Sequence, residues 1–250
     1  MKEAKVEYLL RLADSSLIIG HRLSEWCGHG PILEEDIALT NIALDFVGNA
    51  TALYTYAAQA EGKGRTEDDL AYLRNERDYR NLLLTEQPNG DYARTIARQF
   101  LYDVYTFFLY EELKNSKDET IAAIAAKSHK EVTYHLRHTT EWMLRLGDGT
   151  TESHDRLQNA LNDLWMFTSD LFDMDEVDVL LIKEGVVPDL NKIKEQWEKR
   201  VKEVIVEASL QTPATTFKQK GSRSGKHSEH LGFLLAEMQY VHRAYPGAKW

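Results

Sequence analysis

Glu131 and His135 lie four residues apart in the stretch Ile121 to Leu146, a spacing that puts both side chains on one face of a helix. A carboxylate beside an imidazole is half of a metal site. Helical bundles that hold two metal ions through bridging carboxylates repeat Glu-x-x-His on two helices and place a lone Glu on each of the other two. Here the residue three after Glu131 is Tyr134, Glu76 is followed at the same spacing by Tyr79, and the lone acids are Asp45 and Asp103. Both histidines of that pattern are thus tyrosines, and both lone glutamates are a methylene shorter. A protonated phenol, with a pKa of about 10, is a poor ligand for ferrous iron where neutral imidazole is a strong one. His135 leaves a reduced site open, because a ligand pair at i and i+4 also occurs in helical zinc sites. The other reading is a buried network. In it His135 and the tyrosine hydroxyls donate to Asp45, Asp103 and the glutamates, with an Arg or Lys neutralising one acid.

Eight segments of helical periodicity position these residues, and no stretch alternates as a half-buried strand does. The sequence predicts an all-α protein, a ferritin-like four-helix bundle with flanking helices forming one domain over 1–250. Ile121, Ala125, Val132, Leu136, Met143 and Leu146 make the apolar stripe of the central segment. The first segment is set at Val6 to Trp26. The second, Glu34 to Gln59, is apolar nearly all round and so predicts a helix buried in the middle of the bundle, with Asn41, Asp45 and Asn49 stacked along it. A third helix is predicted over Thr66 to Glu86, starting at a capping-box-like Thr66 and Asp69. Most of its charged run, Arg74, Glu76, Arg77, Asp78 and Arg80, is expected in solvent, with Glu76 the one turned inward beside Leu73, Tyr79 and Leu83. Asp91 to Lys114 surrounds Asp103 with six aromatic residues. Further helices are predicted over Glu152 to Val179, Asp189 to Leu210 and His227 to Tyr245.

The net charge of -10 disfavours nonspecific binding to nucleic acid or to an anionic membrane, both of which need a basic footprint. A single cysteine, Cys27, excludes an internal disulfide and is expected to be a small buried hydrophobe. The amphipathic, acid-containing N-terminus is unlike a signal peptide, so a cytoplasmic protein is expected. His227, Glu229 and His230 offer a second metal cluster or, with Ser228, a capped helix start. Lys218, Lys220, Arg223 and Lys226 fall in a loop that reads either as a docking site for an acidic partner or a phosphate, or as a solvated mobile segment. No phosphate-binding glycine loop, Gly-x-Ser-x-Gly or Cys-x-x-Cys is present.

Five stretches together carry a resemblance: Glu25-Trp26-Cys27-Gly28-His29; Asn41-Ile42-Ala43-Leu44-Asp45; Asn81-Leu82-Leu83-Leu84 with Glu86-Gln87-Pro88-Asn89-Gly90; Tyr134-His135-Leu136-Arg137; and His230-Leu231-Gly232 with Leu235-Ala236-Glu237-Met238-Gln239-Tyr240. Over essentially its whole length the chain resembles the C-subunit family of bacterial ring-1,2-phenylacetyl-CoA epoxidases. The resemblance implies a ferritin-like, catalytically silent subunit without a cofactor of its own. Its partner is a homologous A subunit that carries the di-iron centre and binds the CoA thioester, and a reductase subunit supplies electrons from NADPH. Two other classes stay open from the residues alone. One is an active di-iron or dimanganese oxygenase using Glu76, Glu131 and His135, and the other is a standalone helical protein with an organic ligand in its aromatic interior.

Overall fold

Polar side chains at their first turns mark where the helices begin. Thr66 and Asp69 exchange side-chain and backbone hydrogen bonds as a capping box, Asp91 accepts from the Arg94 amide, and Asp118 accepts from the amides of Thr120 and Ile121. Left-handed glycines, Gly62 and Gly185, close two of the helix ends. The computed structural model describes residues 1–248, and among them every regular element is helical. The helices are α1 (Lys2–Ser24), α2 (Leu33–Glu61), α3 (Glu67–Tyr72), α4 (Tyr92–Leu113), α5 (Glu119–Gly147), α6 (Thr151–Leu164), α7 (Glu176–Glu184), α8 (Leu190–Glu207), α9 (Glu229–Met238) and α10 (Tyr240–Ala244). Short 3-10 segments lie at Glu76–Asp78, Trp165–Phe172 and Ser222–Ser224. The all-α expectation holds, and α1, α2, α4 and α5 supply the four long helices of a ferritin-like fold. The chain divides into two compact units, one of Met1–Pro88 with the residues from Gly221 on, the other of Asn89–Lys220.

In the first unit α1 and α2 run antiparallel. Tyr56 meets Lys5, Tyr54 meets Asp14 and Asn49 meets Ser16, so positions rise on one helix as they fall on the other. The burial of the two helices is the reverse of expectation. It is α1 that is enclosed almost all round from Tyr8 to Gly20, including Arg11, Asp14, Ser15 and Ser16. By contrast α2 buries one face, through Leu39, Ile42, Phe46, Leu53 and Tyr54, and leaves Leu33 (72%), Ile37 (52%) and Leu44 (64%) exposed. Along α2 Asn41 is exposed, Asp45 half-buried and Asn49 buried.

The predicted helix over Thr66 to Glu86 is not formed. Its capped start is correct, but α3 ends after six residues at Tyr72, and the chain continues through the 3-10 turn and irregular backbone to Pro88. Where the helix ends Arg74 turns inward, and its side chain donates to the Leu70 and Asp78 carbonyls. Tyr79 then packs with Ile18 of α1 and with Leu231, Leu234 and Leu235 of α9 in a closed apolar cluster. Deep burial of Asn81, Thr85, Glu86 and Gln87 makes this irregular stretch part of the interior.

In the second unit α4 and α5 also run antiparallel, pairing Tyr92 with Trp142, Asp103 with Thr139 and Phe107 with His129. Helices α6 and α8 pack on α4, and the Trp197 indole of α8 donates to the Leu101 carbonyl at 2.9 Å. The helix predicted over Glu152 to Val179 is broken into α6, a 3-10 segment and α7. Asp175 accepts from the amides of Val177 and Asp178 and restarts the chain as the N-cap of α7. Similarly, the predicted closing helix is α9 followed by the short α10.

Candidate functional site

The two half-motifs do not present their carboxylates to an interior. Glu76 is exposed on the 3-10 turn, whereas Tyr79 is fully buried, so the three-residue spacing does not put them on one face. The Tyr79 hydroxyl donates to the Ala71 carbonyl and accepts from Gln239 Nε2 at 3.3 Å. Burial first, then the Asp14 charge, pushes its phenol well above the usual tyrosine range. In the second unit Glu131 is half-buried, its carboxylate 3.4 Å from the Lys127 ammonium, and Tyr134 is 44% exposed. His135, one turn further along the same side of α5, is buried. Among the described residues no group of three or more His, Cys, Asp or Glu side chains is placed to hold an ion. An ammonium-paired Glu131 and a solvated Glu76 do not fit the donor set of a di-metal centre.

Asp103 is the acid of the set that is fully enclosed. Its Oδ1 accepts from Gln99 Nε2 at 2.6 Å and its Oδ2 from the Thr139 hydroxyl at 3.0 Å. Desolvation raises its pKa to about 7, against the lowering effects of His135, Gln99 and Thr139. The carboxyl thus titrates near neutrality. Of the donors predicted for it, His135 is close enough to act through its charge, while the hydrogen bonds come from an amide and a threonine rather than from tyrosines.

The most elaborate polar structure is in the first unit and centres on Asp14. Its two oxygens accept from the Arg74 guanidinium, from the Tyr54 hydroxyl at 2.5 Å and from the Arg80 amide at 2.7 Å. Arg74 also donates to the carbonyls of Leu70 (2.6 Å) and Asp78 (3.0 Å), and its guanidinium carbon stands 4.4 Å from the centre of the Tyr79 ring. Gln239 ties α9 to this hub through the carbonyls of Ala71 and Arg74. Every acceptor position of the buried carboxylate is therefore filled, as a buried charge requires.

A second buried carboxylate, Glu86, gathers the start of α9. Its Oε2 accepts from Asn81 Nδ2 and faces His227 Nδ1, both at 2.9 Å, and its Oε1 accepts from the Ser228 amide at 2.5 Å. The Glu86 carbonyl takes two hydrogen bonds from Arg22. Ser228 is the N-cap residue of α9, but the side-chain cap expected of it is not formed; Glu86 instead holds the Ser228 amide and His227. Neither Asp14, Arg74, Glu86 nor Arg22 was singled out by spacing, since their partners are 60 or more residues away in sequence.

Two further expectations change. Cys27 is exposed, because the α1–α2 turn that carries it lies on the surface. In the basic loop, Lys220 is taken up by Asp173 at 2.5 Å, and Gln219 is hydrogen-bonded through its backbone to Met166 and Ser169.

The chain is thus all-α with four long helices, and of its half-motif glutamates Glu76 is exposed while the half-buried Glu131 is paired with Lys127. The family model of phenylacetic acid catabolic proteins matches residues 1–250, and the chain belongs to that family. It is similar to the C subunit of 1,2-phenylacetyl-CoA epoxidase from Escherichia coli strain K12, with 48% identity over 243 residues that span 97% of this chain and 98% of the relative.

Proposed function

We propose that this chain is a noncatalytic structural subunit of a multicomponent phenylacetyl-CoA epoxidase, scaffolding a homologous di-iron catalytic subunit in aerobic phenylacetate catabolism. The observation that carries the proposal is that neither half-motif carboxylate is enclosed and free for a metal: Glu76 is exposed on its turn, and Glu131, half-buried, is paired with Lys127. The similarity to the C subunit of an epoxidase supports the pathway and the multi-subunit setting. An uncharged apolar stripe on α2, Leu33, Ile37 and Leu44, supports the existence of a partner, since interfaces between obligate partners are large and apolar. In this reading the protein holds no cofactor, and electrons from the reductase reach the catalytic subunit without passing through it. Among the described residues no helix is long and apolar enough to cross a membrane, and the proposed site of action is the cytoplasm.

The test combines iron analysis with co-expression. The chain purified after expression with iron is expected to hold far less than one iron per chain and to co-purify with the catalytic subunit. Near-stoichiometric iron lost in Glu131→Ala would establish the active oxygenase instead, and failure to form a complex would point to the standalone protein.

A further inference from the structure

Tyr134 stands where a metal-binding histidine would be expected, yet it points outward. Around it the outer face of α5 is built from Lys127, Lys130, Tyr134, Arg137, Glu141 and Arg145, a row at steps of three and four residues. The Arg137 guanidinium carbon lies 5.6 Å from the centre of the Tyr134 ring, and that of Arg145 lies 5.3 Å from the centre of Trp142. Trp142 is anchored from behind, edge-on against Tyr92 of α4 at 5.1 Å. Both arginines are largely solvated, and their nearest carboxylate, Glu141, is 3.9 and 3.8 Å away, beyond hydrogen-bonding distance. Stacking on the rings holds the guanidinium groups in place while leaving their donors without a hydrogen-bond acceptor among the described residues.

From Lys127 to Arg145 this face carries four cationic side chains against Glu131 and Glu141, on a chain whose net charge is -10. The excess is local. Tyr, Trp and Arg are also the residue types that dominate the energetics of protein interfaces, because they combine large rigid contact area with polar ends. We infer that the outer face of α5, centred on Tyr134, Arg137, Trp142 and Arg145, is a docking surface for an acidic protein face presented by another subunit of the epoxidase complex. The inference rests on the proposed structural role and adds to it a surface and the charge of its partner. A carboxylate-rich face fits because the two guanidinium groups can each receive a carboxylate in place of water. An excess of two charges on one helix is too small a footprint for nucleic acid, which needs many phosphate contacts.

The test titrates the purified chain with each of the other epoxidase subunits, separately purified, at ~50 mM and ~300 mM salt, a range over which exposed charges become screened. One of them is expected to bind wild-type chain with affinity falling at least tenfold across that range. Arg137→Glu with Arg145→Glu is expected to weaken it at least tenfold further and to flatten the salt dependence, and Tyr134→Ala to weaken it without altering the salt slope. Circular dichroism and melting of these surface variants show that they are folded. If one of the other subunits binds but every variant binds it like wild type, the docking surface is wrong while the structural role stands. If none binds wild type, the structural role itself fails. Self-association of the chain that the variants abolish, or their loss of binding to phosphatidylserine vesicles, would assign the face to a second copy or a lipid surface and overturn the inference.

Discussion

His227 and Glu86 are joined as a buried pair in which the imidazole has an acceptor on each nitrogen: Glu86 Oε2 at 2.9 Å from Nδ1 and the Tyr79 carbonyl at 3.0 Å from Nε2. A neutral imidazole has a single N–H and can satisfy only one of them, so the imidazolium fits the site. Burial opposes the charge, but the Glu86 carboxylate and the Tyr79 carbonyl outweigh it and raise the His227 pKa above 6.5. Because the folded value is the higher one, the contribution of this pair to stability is complete below pH 6.5 and is lost as pH rises through the folded pKa. Urea unfolding from pH 6 to 9 is therefore expected to show a decline that His227→Gln reduces. An equal decline in wild type and variant would remove His227 as its source.

Asp14 and Arg74 predict a different pattern. Both are buried, and removing one leaves the other charge enclosed without compensation. Arg74→Met is expected to cost about 3–5 kcal/mol at neutral pH, and the double variant Asp14→Asn with Arg74→Met clearly less than the sum of the single changes. A double-mutant cycle by urea denaturation measures the coupling. Additive effects would mean that the pair is not the organising contact of the first unit.

Asp103 reverses the usual acid trend. Its folded pKa of about 7 lies above the ordinary value near 3.8, so the folded state holds a proton that the unfolded chain has released between those limits, and stability falls as pH rises through the window. Asn at this position reproduces the neutral acid. Gln99 Oε1 has no hydrogen-bond partner among the described residues, so rotating the Gln99 amide gives the new Asn N–H an acceptor. Between pH 5 and pH 8 the stability of Asp103→Asn relative to wild type is expected to improve by roughly 2–3 kcal/mol. A relative stability that does not move with pH would show that Asp103 is ionised throughout.

The fold class was readable because caps and long apolar periods are local: Thr66, Asp91 and Asp189 each start a helix where the sequence predicts one. Which acids are buried was not readable. Asp14 falls in the amphipathic, acid-containing N-terminal stretch, and Arg74 lies in a charged run that reads as solvated. Their burial depends on each other across 60 residues, and no window of sequence contains both. For the same reason Glu76 was placed inward: extending the helix past Tyr72 puts it beside Tyr79, but once Arg74 turns in, the backbone leaves the helix and Glu76 swings out. The α2 stripe differs for another reason, since the exposed apolar residues Leu33, Ile37 and Leu44 have the same periodicity as residues that face a core.

Glu76 and Glu131 supply the prediction that separates a relic from a working site. Glu76 is exposed, and Glu131 is half-buried beside the well-solvated Lys127 at 3.4 Å, a pair open to solvent on its lysine side and so of small net worth. Glu76→Ala and Glu131→Ala are each expected to shift stability by no more than about 0.5 kcal/mol and to leave the iron content of purified chain where wild type has it. In a metal-loaded site the same truncations would remove ligands, releasing metal together with the folding energy that its binding supplies. Thermal melting and elemental analysis of the two variants beside wild type read both quantities. A large drop in melting temperature accompanied by loss of bound iron would mean that both glutamates turn inward to bind metal when iron is present, and the scaffold reading would give way to the oxygenase.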